Sequence, residues 1–273
     1  MSLTTDEFKR YLVRIQLHEK IISSPTLHTL QQLHIAHLTA IPFENLDIHT
    51  KTPIYLDKES LIKKIIDKQR GGYCYESNEL LALALEHLGF TVHRMVARAL
   101  FPEQRTRGHK ILIVELDGEY WLTDVAFGGN SIFQPIKLPC HHTKLTHDVQ
   151  NDDEYMLSLD LDKYRINTYC LKIKMNNTWT DLYAFNLFET IALDFKVLNH
   201  AMCTYYDSPF VKQRICAIYT KQGRKLLLDN VFKIRNGSNI IEKHLTDNEY
   251  LQILETEFGI YLSHIEQERL FQK

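Results

Sequence analysis

Two alternating runs, 109–116 and 119–124, flank the dipeptide Asp117-Gly118. Asp-Gly between two such runs suits a two-residue type I′ turn, in which both central residues take positive φ. Such a turn sets Leu116 opposite Glu119. Each step back along the first run then matches a step forward along the second, so Asp124 stands opposite Ile111. His109 lies two positions before Ile111 and points to the same face, because strand side chains alternate. Imidazole and carboxylate become diagonal neighbours with Cα atoms about 7–8 Å apart, within reach of a hydrogen bond. A shift of one residue in either would separate them onto opposite faces. Taken singly, His109 reads as a strand-end surface histidine and Asp124 as a loop carboxylate. The shared parity joins them.

Around this hairpin the chain changes character twice. Residues 1–89 read as helical. Thr4 and Glu7 form a capping-box pattern before the stripe Phe8, Tyr11, Leu12 and Ile15. Ser24-Pro25 reads as an N-cap with proline at the first helical position, ahead of Leu27, Leu30 and Leu33. Asp57 opens a third helix with Leu61, Ile62, Ile65 and Ile66 on one side. A fourth begins near Cys74, runs through Leu80, Leu81, Leu85 and Leu88, and ends with Gly89 at C′. Residues 90–186 read as a sheet or barrel. The segments 91–101, 109–116, 119–127, 164–175 and 178–185 are rich in β-branched and aromatic residues, with a turn at Asn176-Asn177. Residues 187–273 are mixed. A stripe of Leu187, Ile191, Phe195 and Leu198 precedes short strands around 215–235 and a turn at Asn236-Gly237. Thr246…Glu249 and Ser263…Glu266 each open a terminal helix. The class is α+β.

Composition narrows the function. The 273 residues allow one large domain or two to three small ones. Gly 10 and Pro 7 together are about half of average usage, which argues against disorder and collagen-like repeats. The net charge of −2 gives no global basic field for nucleic acid or an anionic membrane. No apolar stretch has the roughly 18 residues of a membrane span, and the first thirty residues hold no signal-peptide apolar region. Five cysteines, an odd count without a CxxC pair, fit a reducing cytosol, so a cytoplasmic location is expected. The sequons at Asn176 and Asn236 then carry no glycan.

Of the five, Cys74 stands apart. Arg70-Gly71-Gly72-Tyr73-Cys74 holds the only Gly-Gly before a strong helix. Two glycines permit a tight turn or a close backbone approach. A cysteine in the first turn of the helix meets unpaired N–H groups and the positive end of the helix dipole, which favour a thiolate. The same N–H groups suit an oxyanion. An inert cysteine beneath a loop is the alternative. With His109 and Asp124 it completes a Cys–His–Asp set, in which His109 takes the thiol proton and Asp124 fixes the imidazole tautomer.

Other clusters carry less. Cys140-His141-His142 cannot all turn toward one ion, and no partner pair sits at zinc-like spacing, so no metal is expected. His28, His34 and His37 fall on or near one helix, where capping or core hydrogen bonds are the expected role. The aromatics at 205–210 lack the basic interleaving of a nucleic-acid platform.

The motifs together resemble the arylamine N-acetyltransferase family. The resemblance rests on Ile41-Pro42-Phe43-Glu44-Asn45-Leu46, on Arg70-Gly71-Gly72-Tyr73-Cys74-Tyr75-Glu76-Ser77-Asn78, on Gly108-His109, and on Asp124-Val125-Ala126-Phe127-Gly128. Asp194-Phe195, Asn199 and Ser208-Pro209-Phe210 fit as well. It implies a helical bundle over 1–89 carrying the nucleophile, a β-barrel over 90–186 carrying His and Asp, and an α/β lid over 187–273, around a cysteine-protease-like core. It implies ping-pong acetyl transfer through Cys74, with acetyl-CoA as co-substrate, no permanently bound cofactor, and an aromatic amine or hydrazine as acceptor. By the same resemblance Phe43, Val96 and Phe127 line the acceptor pocket, Gly108, Gly128 and Gly129 lie near CoA, and Arg70 and Glu44 form an ion pair behind the nucleophile.

Two departures stand out. The family usually has glycine where this chain has Ala126, and the stretch 200–207 is not the usual Ser/Thr-rich one. Ala126 is therefore expected at negative φ, as a strand residue opposite His109, with the hinge moved to Gly128-Gly129. Two other readings remain open. A papain- or transglutaminase-type enzyme would use the same Cys, His and Asp order with an amide as acyl donor. A non-catalytic binding module could keep the fold.

Overall fold

A computed structural model describes residues 2–19, 24–103, 106–140, 142–161, 165–188, 190–237 and 239–272. The first helices form by local capping. At α1 (Thr5–Arg14) the Thr4 hydroxyl accepts from the Glu7 N–H, and the Glu7 carboxylate accepts from the Thr4 N–H at 2.7 Å. Helix α2 (Leu27–Ala40) begins later than Ser24-Pro25 suggests. Its N-cap is Thr26, whose hydroxyl accepts from the Thr29 N–H at 3.2 Å, so Pro25 stays outside the helix. A two-residue strand β1 (Phe43–Glu44) and a single turn α3 (Leu46–His49) follow. Asp57 caps α4 (Lys58–Leu61), which continues as a π-helix (Ile62–Asp67). Helix α5 (Cys74–His87) ends at Gly89, whose φ of 88° completes the C-cap. Leu12, Leu30, Leu33, Ile65, Leu81 and Leu85 of these elements bury their side chains in one core.

Eight antiparallel strands form the second layer: β2 (Thr91–Ala99), β3 (Arg107–Leu116), β4 (Glu119–Thr123), β5 (Ile136–Lys137), β6 (Leu145–Gln150), β7 (Asp153–Leu161), β8 (Asn167–Met175) and β9 (Thr178–Phe185). Their order is β5-β4-β3-β2-β9-β8-β7-β6, and β5 and β6 come together to leave the barrel nearly closed. Gln150 bridges that gap: its amide oxygen accepts from the Phe133 and Gln134 N–H groups at 2.8 and 3.0 Å.

The hairpin register is the one read from the sequence, with Leu116 paired to Glu119 and Leu112 to Thr123. Asp117 and Gly118 have φ of 52° and 76°, as a type I′ turn requires. Strand β3 is apolar on both faces. Leu112, Val114 and Leu116 join the helical core, whereas Ile111 and Ile113 fill the barrel, and His109 shares the barrel-side parity.

Three strand expectations differ from the structure. Strand β4 stops at Thr123 rather than 127, because the Asp124 carboxylate accepts from the Ala126 N–H at 3.0 Å and turns the chain out of the ladder. The segment expected from 164 begins at Asn167, with 162–164 outside the described residues. Strands β6 and β7 are additional; they pair across Asn151-Asp152, with φ of 47° and 68°.

The last part adds α6 (Ala192–Thr204), α7 (Pro209–Lys212), β10 (Ile215–Thr220), β11 (Gly223–Leu228), β12 (Val231–Asn236), β13 (Asn239–His244), α8 (Asp247–Phe258) and α9 (His264–Phe271). Leu187 falls before α6 rather than on its stripe, since the Asp194 carboxylate caps the helix at the Ile191 N–H. Capping boxes at Thr246–Glu249 and Ser263–Glu266 open α8 and α9 as expected. The second sheet runs β1-β10-β11-β12-β13, so a strand preceding the nucleophile is paired to the last third of the chain. Among the described residues no helix is long and apolar enough to cross a membrane.

Candidate active site

The start of α5 is held by backbone, not by a left-handed turn. Neither Gly71 nor Gly72 has positive φ. Instead the Gly72 N–H donates to the Pro42 carbonyl and the Glu44 N–H to the Gly72 carbonyl, both at 3.2 Å. A Cβ on Gly71 would sit 2.0 Å from the Pro42 oxygen and 2.8 Å from Glu44 Cγ. Gly71→Ala must therefore part these two segments. It is expected to destabilise the fold by about 2 kcal/mol or more and to lower Tm by roughly 5 °C or more. Thermal unfolding checks this, and an unchanged Tm would show that the contact yields cheaply.

Behind the nucleophile lies a buried charge network. Arg70 donates Nε to Glu44 Oε1 at 2.9 Å and Nη2 to Glu44 Oε2 at 3.2 Å and Asp47 Oδ1 at 2.9 Å. Lys64 bridges Asp47 and Glu76 at 2.8 and 2.7 Å. Glu76 in turn accepts from the Tyr73 N–H at 3.2 Å, closing the first turn of α5. Burial pushes the Glu76 carboxyl up to about 7 against the opposing pull of Lys64. The Arg70–Glu44 pair expected from the sequence is thus one edge of a six-residue cluster, which Glu266 of α9 joins at 3.4 Å from Arg70 Nη1.

Cys74 is the first residue of α5 and only 2% exposed. His109 Nε2 lies 2.7 Å from Asp124 Oδ2, and both side chains are buried. The Cys74 thiol also acts on the imidazole, whose Nδ1 is the ring nitrogen not turned to Asp124. Burial alone would lower the His109 pKa; the charge and hydrogen bond of Asp124, with the contribution of Cys74, outweigh it and raise the imidazole to about 10. Burial would raise Asp124, but His109, Asn78 and the Ala126 N–H hold it below its ordinary value. The imidazole packs against the rings of Phe127 and Tyr183, with centroids 4.8 and 5.1 Å away, and these two rings also touch each other.

The remaining expected site residues are less tightly gathered. Phe43 and Val96 belong to the buried cluster that contains Cys74, Tyr75 and Phe195. Gly108 lies beneath α6, where an added Cβ would come within 2.8 Å of Met202 Cε. Gly128 abuts Phe43, and Gly129 abuts Leu226. The left-handed residue after Asp124 is Gly128, with φ of 70°. Ala126 does not take positive φ, as expected, but it is not a strand residue opposite His109, because the β3–β4 ladder ends at the Leu112–Thr123 pair. His34 Nε2 donates to the Ile132 carbonyl, His37 Nδ1 shares a hydrogen bond with the Tyr11 hydroxyl, and burial lowers them to about 4 and about 3, as neutral core histidines. His28 is exposed. His141 lies outside the described residues, among which no cluster could hold a metal ion. Residue type alone does not mark Asn78, although its place one helical turn after Cys74 puts it on the same face.

A cysteine at a helix start, facing an imidazole that a buried carboxylate orients, is the layout of cysteine-dependent acyl-transfer enzymes. Residues 26–267 match a family model described as N-acetyltransferase. The chain is 32% identical over 268 residues to the arylamine N-acetyltransferase of Mycolicibacterium smegmatis, covering 93% of this chain and 92% of that one. It is 30% identical over 256 residues to the Salmonella typhimurium arylamine N-acetyltransferase / N-hydroxyarylamine O-acetyltransferase, covering 92% and 88%. Among solved structures, Nocardia farcinica arylamine N-acetyltransferase superposes with a TM-score of 0.89 at 29% identity, over 97% of this chain and 93% of that chain. The Mycobacterium marinum enzyme in complex with CoA gives 0.85 at 29% identity, over 96% of each. The chain belongs to the arylamine N-acetyltransferase family.

Proposed function

We propose that this chain transfers the acetyl group of acetyl-CoA to arylamines and arylhydrazines through an acetyl-Cys74 intermediate. The observation that carries this is the buried His109 imidazole, held by Asp124 at 2.7 Å and raised in pKa partly by Cys74 at the start of α5. His109 takes the thiol proton, and the thiolate attacks the thioester carbonyl. The Cys74 and Tyr75 N–H groups, which lie ahead of the first bonds of α5 to the Tyr73 carbonyl, suit the oxyanion that forms. Collapse breaks the bond to the CoA sulfur, which leaves with the proton from His109. The acceptor nitrogen then attacks acetyl-Cys74, His109 removes its proton, and the thiolate is regenerated.

Phe43, Val96 and Phe127 are the acceptor-lining residues in this reading, and Gly108, Gly128 and Gly129 the ones near CoA. Helices α6 and α7 cover the nucleophile: Phe210 meets Tyr73 at 5.4 Å and Phe195 meets Tyr75 at 6.2 Å between ring centroids. Incubation with acetyl-CoA alone, followed by intact mass and peptide mapping, tests the reading. One acetyl group on Cys74, discharged by an added arylamine, is expected. An unmodified Cys74, or a ternary requirement for amine, would overturn it.

A further inference from the structure

Asp124 is fully buried, so something must keep its carboxylate charged beside His109. Part of that comes from a side chain outside the Cys–His–Asp set. Asn78 Nδ2 donates to Asp124 Oδ1 at 2.9 Å and to the Lys110 carbonyl at 2.7 Å. Its Oδ1 accepts from the Val125 N–H at 3.0 Å. Asn78 is itself fully buried on α5. One amide therefore touches Asp124, the residue after it, and the residue after His109, from a position one turn along the helix that begins with Cys74.

We propose that Asn78 is a positioning residue: it locks the nucleophile's helix in register with β3 and the end of β4, and it keeps Asp124 ionised. This rests on the reading of Cys74, His109 and Asp124 as the reacting set. The geometry argues against a merely structural role. Asp124 Oδ1 has two donors, Asn78 and the Ala126 N–H, and Oδ2 has His109. A hydrogen bond to a buried carboxylate favours its charged form, and only a charged Asp124 raises the imidazole. Asn78 acts on His109 through Asp124 and touches no reacting atom.

Asn78→Asp has nearly the same shape and keeps an acceptor for the Val125 N–H. It loses both donors and places a second carboxyl against Asp124. Two carboxyls that close cannot both ionise, so one proton is shared between them and the imidazole faces only part of the charge that Asp124 carries in the wild type. The experiment measures iodoacetamide alkylation of Cys74 across pH in the folded variant, with acetylation of Cys74 by acetyl-CoA alongside. Alkylation at pH 7 should fall about ten- to a hundred-fold, and its pH midpoint should rise by about one unit or more. A folded variant with the wild-type rate and midpoint would overturn the proposal. Wild-type chain that is not acetylated at all would instead overturn the underlying reading. If Asn78→Asp does not fold, the Asn78 side-chain amide resonances in wild-type protein decide. They should move with the titration of the His109–Asp124 pair, and fixed resonances through that titration would sink the positioning role.

Discussion

Cys74→Ser is expected to abolish acetyl transfer and leave the fold intact. The hydroxyl can occupy the place of the thiol, since serine is close to cysteine in shape and Cys74 is a small buried side chain. The loss of stability should stay within about 1–2 kcal/mol, as for other small, shape-conserving changes. Chemistry is affected far more. An alcohol is a much weaker acid than a thiol, so the imidazolium state of His109 cannot be reached by taking its proton at neutral pH. The bound charge pair that drives attack on the thioester is lost, and with it about four orders of magnitude or more of the rate. Single-turnover release of CoA from acetyl-CoA, with thermal unfolding as the control, measures both effects. Near-normal CoA release by the folded variant would remove Cys74 from the mechanism.

The parts of this fold that were legible in the sequence are those set by neighbouring residues. Asp117-Gly118 dictates its own turn geometry, and a two-residue turn leaves only one register, which is why the 2.7 Å contact between His109 and Asp124 follows from counting. Capping boxes are equally local. The hairpin of β6 and β7 obeys the same physics, but Asn151-Asp152 reaches positive φ without glycine, so the usual turn signal is absent. The end of β4 was misplaced for a different reason: the Asp124 side chain bonds its own backbone two residues on, a competition that residue alternation does not reveal.

What could not be read is long-range. Nothing local in Phe43-Glu44 says that it pairs with Ala217 and Cys216. Gly71 looked like either a turn or a close approach, and only the Pro42 carbonyl at 2.0 Å from its would-be Cβ decides for the second. Asn78 is intermediate. Its helical spacing from Cys74 was visible, yet its three partners come from the ends of two strands that the sequence places 32 to 47 residues away.

Asp124→Asn should inactivate through the tautomer of His109, and the hydrogen bonds of the site say which tautomer results. Asp124 Oδ1 accepts from Asn78 Nδ2 and the Ala126 N–H, so in the variant the amide oxygen is retained on that side. The amide NH2 then takes the position of Oδ2, facing His109 Nε2. It donates to that nitrogen, which must be unprotonated, and the single imidazole proton moves to Nδ1. The nitrogen facing Cys74 is then a donor and cannot accept the thiol proton. A loss of about 10⁴-fold in acetylation of Cys74 is expected, as for a wrong-tautomer histidine elsewhere. The pH dependence carries the same sign. His109 is raised to about 10 in the wild type because Asp124 outweighs burial; without that charge, burial dominates and the imidazole falls below its ordinary value of 6.5. A raised histidine stabilises the fold fully below its unfolded pKa and loses that contribution as pH rises through the folded value. The depressed carboxyl of Asp124 adds stability that is lost as pH falls below the ordinary carboxylate range. The wild-type advantage in denaturant unfolding should thus be largest between about pH 5 and 6.5 and should shrink toward about pH 10. Equal stability of the two proteins across that window, or unchanged acetylation of Cys74 in the variant, would break the link between Asp124 and the charge on His109.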